Sequence, residues 1–462
     1  MTNPEDIRRT DSFASGFEHD YFDPSTDDFL TKERKYIHFD NKLSESDRNS
    51  LSLKKINLAT HNFWPLLAFE IKSRIKIFDA EGSLEGFEEK PRKIKFGSHL
   101  DAALLEIYSK QISAHYENKL NELGLSENVL AYRSGIGDNI LQSKKIFEII
   151  KQKENCTAVA LDIKGFFDNI QHDTLKLSLA EILSVEPNDL SETDYQVWKN
   201  ICRYSYVSKE DVLERVGEKT LLNYNRLCFP KDFRNKVRKP KPKIIKSNKN
   251  KIGDWNNFGI PQGTPISGLY ANISLLDFDE SLNNYCNKIG ATYRRYSDDI
   301  AIIIPTSQTV NEAIAFVEQS LNEIGLKINS KKTEISIFSS TSGNLLSDHR
   351  FQYLGFLFDG QRVLIRESSL KNYYRKMKKG IRSKILAAKK KEIEKEKIYL
   401  REVYKRYTHY GRRRNFPRYA YRASEVFDAP EIRAQIKPHI NKFKKYLNEE
   451  ITSIYGKPSK PS

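Results

Sequence analysis

Two aspartates stand side by side where the chain reads as the tip of a hairpin. The stretch Tyr296-Ser297-Asp298-Asp299 lies between Ala291-Thr292-Tyr293-Arg294-Arg295 and Ile300-Ala301-Ile302-Ile303-Ile304-Pro305. Both flanks are rich in β-branched or aromatic residues, which predicts two strands. Tight hairpins favour Asn-Gly or Asp-Gly because those residues accept positive φ. Adjacent carboxylates repel, so a tip built from them calls for a neutralising partner, and a divalent cation is the simplest. A solvated Asp-Asp turn is the plainer reading, and these four residues alone favour it.

A second acid changes that balance. Thr157-Ala158-Val159-Ala160-Leu161 is an apolar strand ending at Asp162, and Phe166-Phe167-Asp168 follows closely. A lone carboxylate at a strand end is more often a helix cap than a ligand. Asp162, however, lies 136 residues before Asp298, and both sit at strands. Adjacent strands of one antiparallel sheet would bring them together. Three carboxylates at one place suit two divalent ions about 4 Å apart, which activate an attacking oxygen and stabilise a leaving one. Successive strand residues face opposite ways. Asp162 and Asp298 are therefore expected as the principal ligands, with Asp299 contributing less directly at the turn.

The rest of the chain predicts an α+β protein. Residues 1–50 are acidic and polar, with Asp20, Asp23, Asp27 and Asp28 close together, and read as an extended arm. Asn62 to Phe69 begins the folded body, and Lys90-Pro91-Arg92-Lys93-Ile94-Lys95-Phe96 is a basic strand-like run. Helical spacing over 98–122 follows Ser98 and Asp101, both plausible helix-start residues. A second helix runs to about Lys151, and 172–225 read as mainly helical. The basic, Pro-, Lys- and Asn-rich stretch 230–257 reads as a long surface loop. A long apolar helix is expected over 266–284 and an amphipathic one over 309–325, with strands near 334–338 and 351–358. From 369 to 455 the pattern is helical and strongly basic.

Charge is concentrated in that last part. Residues 371–462 hold 27 Lys and Arg against 9 Asp and Glu, whereas the whole chain carries a net charge of +16. The remainder is therefore nearly neutral, and the basic end reads as a footprint for a polyanion. No apolar run reaches the ~18 residues needed to span a bilayer. The four cysteines, Cys156, Cys202, Cys228 and Cys286, form no C-x-x-C pair, which argues against zinc ribbons and fits a reducing, cytoplasmic setting.

Three stretches, Leu161-Asp162-Ile163-Lys164-Gly165-Phe166-Phe167-Asp168, Gly259-Ile260-Pro261-Gln262-Gly263-Thr264-Pro265 and Tyr296-Ser297-Asp298-Asp299, occur in the order of the palm motifs of reverse transcriptases, which the chain resembles. Arg92 to Asp101, Leu123-Gly124-Leu125-Ser126, Ala131-Tyr132-Arg133-Ser134-Gly135 and Asp162 to Asn169 look most like the bacterial antiphage-defence members, beside retron and abortive-infection enzymes.

The resemblance implies a right-hand polymerase fold. Its parts would be an acidic arm (1–60), fingers (61–155), a palm (156–360) interrupted at about 172–258, and a basic helical thumb (361–462). It implies two Mg2+ ions, with Mn2+ as a substitute, held by Asp162, Asp298, Asp299 and the Ile163 carbonyl. Phe167 would lie under the sugar of the incoming nucleotide and exclude a 2′-hydroxyl. Gln262 and Gly263 would form the loop beside the new base pair. Arg92 resembles the fingers arginine that meets the triphosphate, with Lys93 and Lys95 as rivals. Lys331, or its neighbour Lys332, would lie near the leaving pyrophosphate. Tyr296 and the hairpin residues Leu354 and Gly355 would touch the primer. Arg412, Arg413 and Arg414, interleaved with Phe416 and Tyr419, would meet nucleic acid.

The implied partners are an RNA template, a small noncoding RNA by the family's habit, together with dNTPs and the DNA product. No membrane is implied, and oligomerisation is left open. The leading expectation is an RNA-directed DNA polymerase in phage defence. A second keeps the polymerase but lets it extend DNA with little template, from a tyrosine hydroxyl such as Tyr446 or Tyr455. A third is a non-catalytic RNA-binding module of polymerase shape. The 100 residues from Asp162 to Gln262 exceed the spacing of compact relatives and point to an insertion that includes Cys228 to Arg234.

Overall fold

A computed structural model describes residues 34, 36–53, 57–78, 84–305, 309–410 and 415–456. The acidic cluster Asp20 to Asp28 and the arginines Arg412, Arg413 and Arg414 lie outside the described residues. Twelve strands occur among the described residues: β1 (Leu66–Phe78), β2 (Leu84–Phe96), β3 (Cys156–Asp162), β4 (Ser205–Ser208), β5 (Lys246–Ser247), β6 (Thr292–Tyr296), β7 (Asp299–Ile304), β8 (Glu334–Thr341), β9 (Asn344–Ser347), β10 (Phe351–Tyr353), β11 (Phe356–Phe358) and β12 (Val363–Ile365). The chain forms two compact units. One gathers residues up to 136 with 162–300 and 311–331, and the other takes 137–161, 301–310 and 332–462.

The first unit holds a sheet of order β2-β1-β4-β5. β1 and β2 pair antiparallel along their length, with Ile71 opposite Arg92 and Lys72 opposite Pro91. Pro91 is tolerated because β2 is an edge strand, where a missing N–H breaks no ladder. β4 joins β1 in parallel, Leu66 opposite Tyr206. Phe39, Leu67, Phe96, Val207, Phe233 and Val237 form the core under this sheet.

Three expectations are corrected here. The later part of the N-terminal arm is folded. Phe39 is fully buried, and the Asp40 carboxylate accepts from the His99 and Leu100 amides, both at 3.0 Å. Asp40 thus satisfies two orphan donors at the start of helix His99–Glu122, alongside the expected Ser98 cap. The stretch 230–257 is not a plain loop either. It forms a short helix, a π-turn over Phe233–Arg238 and strand β5, because Phe233 and Val237, spaced i, i+4, are both buried. The helix expected over 266–284 is two helices, Ser267–Ile273 and Leu276–Lys288, separated at Ser274 and Leu275. The mainly helical reading of 172–225 stands apart from β4.

The second unit holds most of β3 and β7 in a sheet of order β7-β3-β8-β9, with Cys156 opposite Phe338 and Ala160 opposite Glu334. β10, β11 and β12 form a small antiparallel sheet. Among the described residues six α-helices belong to this unit: Asn139–Lys153, Glu367–Lys390, Arg401–Tyr407, Phe416–Phe427, Pro430–Ile436 and His439–Tyr455. In Glu367–Lys390, Tyr373, Met377, Ile381, Ile385 and Ala388 make one buried stripe. Lys371, Arg375, Lys378, Lys379, Arg382, Lys389 and Lys390 are exposed on the remaining surface. This amphipathic spacing explains how a strongly basic sequence still folds.

Candidate active site

β3 is buried on nearly every residue, as a central strand should be, and it delivers Asp162 at its end with 8% exposure. The Ile163 amide then donates to the Asp298 carbonyl at 3.0 Å. One backbone bond therefore joins the end of β3 to the turn between β6 and β7. The turn itself is Ser297-Asp298, and Asp299 already belongs to β7. The two acids thus do not share the tip, as the sequence had implied.

Ser297 adopts φ 60°, a left-handed conformation unusual for a residue with a side chain. Such a conformation costs about 1–3 kcal/mol and persists when its surroundings fix it. Two contacts do so here. Arg295 donates to the Ser297 carbonyl at 3.1 Å, and the Tyr132 hydroxyl meets Ser297 Oγ at 3.2 Å. Arg295 is itself fully buried and paired with Asp279 through Nε (2.7 Å) and Nη2 (2.5 Å). Burial works against the guanidinium charge, but Asp279 outweighs it and raises the Arg295 pKa. The Tyr293 hydroxyl also donates to Asp279, so residues 293 and 295 on one face of β6 share one buried acid.

Asn329 holds Asp162. Its amide donates to the Asp162 carbonyl at 2.7 Å, and its side-chain Nδ2 donates to Asp162 Oδ2 at 3.1 Å. Lys164 N–H to the Lys327 carbonyl, 2.8 Å, completes a bridge between Ile163 and Ile328. That bridge does not use the Ile163 carbonyl. Lys331 follows on an exposed turn, Ser330–Lys332.

Phe167 sits half-buried in the short helix Phe166–Asn169, its ring edge-on to Tyr132 with centroids 6.4 Å apart. Tyr132 in turn lies against Gly268, where a β-carbon would come within 2.6 Å of the ring. The Phe167 carbonyl accepts from Ile260, 2.9 Å, which ties the first motif to the second. Gln262 accepts from the Lys95 amide at 2.8 Å, and a β-carbon on Gly263 would lie 2.8 Å from the Lys95 carbonyl. Gly263 also has φ 123°, so glycine is required there twice over.

The basic run on β2 divides by exposure. Arg92 and Lys93 are exposed, with Lys93 3.9 Å from Glu70, while Lys95 is buried against Tyr204. Burial lowers the Lys95 pKa. Burial raises the Tyr132 pKa, and its hydrogen bond with Ser297 works against that rise. The first unit therefore brings together Asp162, Ile163, Phe167, Gln262, Gly263, Tyr296, Asp298 and Asp299 through direct bonds or neighbouring strands. Tyr132, Asn329 and the Arg295–Asp279 pair were given no role from sequence. Tyr132 and Asn329 both lay inside stretches already singled out, but only their bonds reveal what they do.

In the second unit Leu354 and Gly355, with φ 45° and 91°, form the two-residue turn between β10 and β11. Asn139 donates to the Leu354 carbonyl, and the Arg366 amide to that of Gly355. Two aromatics expected on a nucleic-acid surface turn inward instead: Phe416 stacks on Tyr373, and the Tyr419 hydroxyl accepts from Asn139. Tyr455 donates to the Ile393 carbonyl, and Lys378 lies over Tyr446.

The donors around the turn are oxygens, carboxylate and carbonyl, which suit hard divalent cations such as Mg2+ or Mn2+. Among the described residues no three acids or imidazoles converge closely enough to hold an ion as they stand. The donor chemistry fits a divalent ion, and the Asn329 bond keeps one Asp162 oxygen turned aside. Among the described residues, too, no helix is long and apolar enough to cross a membrane.

Residues 219–358 match the family model described as reverse transcriptase (RNA-dependent DNA polymerase). Retron Ec86 reverse transcriptase from Escherichia coli is 35% identical over 94 residues, which cover 20% of this chain and 29% of that enzyme. The chain thus aligns with less than a third of the length of this relative. Two solved structures, both titled as complexes with a TWJ fragment of telomeric RNA, are more distant. Telomerase from Candida tropicalis is 14% identical, covering 92% of this chain and 62% of its own, with a TM-score of 0.37. Telomerase from Candida albicans is 12% identical, covering 91% and 71%, with a TM-score of 0.36. Scores this low decide nothing about the fold. The motif order, the bond between the end of β3 and the β6–β7 turn, and the match over residues 219–358 make this α+β chain similar to reverse transcriptases, a retron enzyme among them.

Proposed function

We propose that the protein is an RNA-directed DNA polymerase. A primer 3′-hydroxyl attacks the α-phosphorus of a dNTP, a new phosphodiester bond forms, and pyrophosphate leaves. The observation that carries this reading is the 3.0 Å bond from the Ile163 amide to the Asp298 carbonyl, which sets two acids on adjoining backbone. Asp162 and Asp298, with Asp299 and the Ile163 carbonyl, would hold the divalent ions, taken as two Mg2+. Such ions supply a more acidic attacking hydroxyl and neutralise charge on the leaving oxygens.

The chain's own groups then position the substrate. Phe167, backed by Tyr132, closes the space a 2′-hydroxyl needs. Gln262 and Gly263 line the new base pair. Arg92, with Lys93 beside it, offers exposed charge to the triphosphate, and Lys331 meets the pyrophosphate. In this reading residues 61–155 serve as fingers, 156–360 as palm and 361–462 as a thumb that grips the duplex by its phosphates. Tyr296, Leu354 and Gly355 support the primer. The template is proposed to be a small noncoding RNA, and the setting a cytoplasmic defence against phage, on the strength of the motif resemblance.

Primer extension on an RNA template tests the proposal. The wild-type protein with Mg2+ extends a DNA primer with dNTPs, and Asp298→Ala/Asp299→Ala reduces extension to background while RNA binding persists. Extension that survives the double substitution overturns it. Sequencing the RNA and DNA that copurify with the protein identifies the template.

A further inference from the structure

The segment between Asp162 and Gln262 has a surface that polymerisation leaves unused. Residues 231–251 contain ten Lys and Arg against one acid, Asp232. All ten bases are exposed, and Lys236 pairs with Asp232 at 3.1 Å. A solvated lysine loop would be the ordinary explanation, but such loops are seldom rigid and seldom show large aromatics. This one does both.

Phe233 and Val237 anchor the segment in the core, and β5 pairs with β4. Beyond β5, residues 248–256 close on themselves through amides. Asn256 Nδ2 donates to Asn248 Oδ1 at 2.9 Å, and the Asn256 amide to the Asn248 carbonyl at 3.0 Å. Asn250 Oδ1 accepts from the Ile252 and Asp254 amides. Asn248 Nδ2 reaches the Cys202 carbonyl, which fixes the loop to helix Glu192–Cys202. From this built loop project Ile252, Trp255 and Phe258, with exposures of 83%, 39% and 41%. Lys249 Nζ lies 4.9 Å from the centre of the Trp255 ring.

We infer that residues 246–258 form a binding surface for a single-stranded polynucleotide, with Lys246, Lys249 and Lys251 on its phosphates and Trp255 and Phe258 under its bases. Base-on-aromatic stacking beside a positive track is how unpaired strands are held without sequence preference. A duplex hides its base faces and offers nothing to these rings. An anionic membrane wants a contiguous apolar face, whereas here single apolar residues stand among lysines. RNA and single-stranded DNA share the required chemistry. The surface is independent of the acids at the β6–β7 turn, so it stands whether or not the chain polymerises.

Fluorescence anisotropy with labelled oligo(U) RNA and oligo(dT) DNA, read across a salt series on the full chain, tests the inference. Trp255→Ala is expected to weaken binding by roughly 5- to 150-fold, the worth of one stacked base. Lys246→Ala/Lys249→Ala/Lys251→Ala is expected to lower the salt slope by about 2, at ~0.7 per phosphate contact on a single strand. Ultraviolet crosslinks should map to 246–258, and the tighter oligonucleotide identifies the natural sugar. All of these side chains are exposed, so circular dichroism should be unchanged. Wild-type affinity and slope in both variants, or crosslinks confined to 361–456, would overturn the inference. So would variants that lose phosphatidylserine-vesicle binding but keep oligonucleotide binding. Primer extension by the Asp298→Ala/Asp299→Ala protein reports separately on the polymerase proposal.

Discussion

Arg295 and Asp279 meet through both guanidinium prongs, and neither side chain reaches solvent. Removing one partner leaves the other charge buried and uncompensated, which costs about 3–5 kcal/mol. Arg295→Met is therefore expected to lower the urea midpoint sharply. Arg295→Met/Asp279→Leu should recover much of that stability, because the stranded charge is gone. It should not recover primer extension, because Ser297 still lacks its donor. Stability and activity returning together would show that the pair supports only the fold.

Asn329→Ala removes one hydrogen bond to the Asp162 carboxylate. A bond to a charged group contributes about 1.5–3 kcal/mol. The expected outcome is a kcat reduced by roughly 10- to 150-fold, with KM for dNTP little changed. Single-nucleotide extension under saturating primer-template measures the split.

Phe167→Ala should let ribonucleotides compete with deoxynucleotides, read as the ratio of kcat/KM values for the two sugars. Tyr132→Ala should relax the same ratio in the same direction, because the Phe167 ring would lose its edge-on neighbour. Tyr132→Phe keeps the ring and loses only the Ser297 contact. It should therefore slow extension without changing sugar choice.

Gly263→Ala should cripple nucleotide addition, since its β-carbon meets the Lys95 carbonyl at 2.8 Å. Gly86→Ala, on the edge strand β2 that carries Lys95 and with nothing within 4 Å, is the control and should behave as wild type.

His38 is fully buried, and burial lowers its pKa to about 3. In the unfolded chain the ring takes up a proton near pH 6.5, while the folded ring stays neutral. Stability is therefore complete above about pH 6.5 and falls as pH drops toward 3. The loss at pH 5 amounts to about 2 kcal/mol. His38→Phe should flatten this part of the pH–stability curve, as measured by urea melts between pH 5 and 8.

The hairpin, the buried strand into Asp162 and the glycine loop were legible because each is local: alternation, an apolar run, and a residue type that turns require. The 98–122 helix showed its own cap at Ser98. What escaped depends on partners distant in sequence. Asn329 meets Asp162 across 167 positions, and Tyr132 meets Ser297 across 165. Nothing in either residue's neighbourhood reports such a bond. Phe233 and Val237 escaped for another reason: the lysines and prolines around them mask a two-residue apolar stripe. Phe416 and Tyr419 were misread because an aromatic among arginines looks the same whether it faces water or the core.

The parallel pairing of β1 with β4 has a consequence for how the protein is made. Leu66 must wait for Tyr206, 140 residues later, before that side of β1 is covered. At ~5–20 residues per second on the ribosome, the wait is roughly 7–30 s. Throughout it the nascent chain shows an open strand edge to its neighbours on the same message.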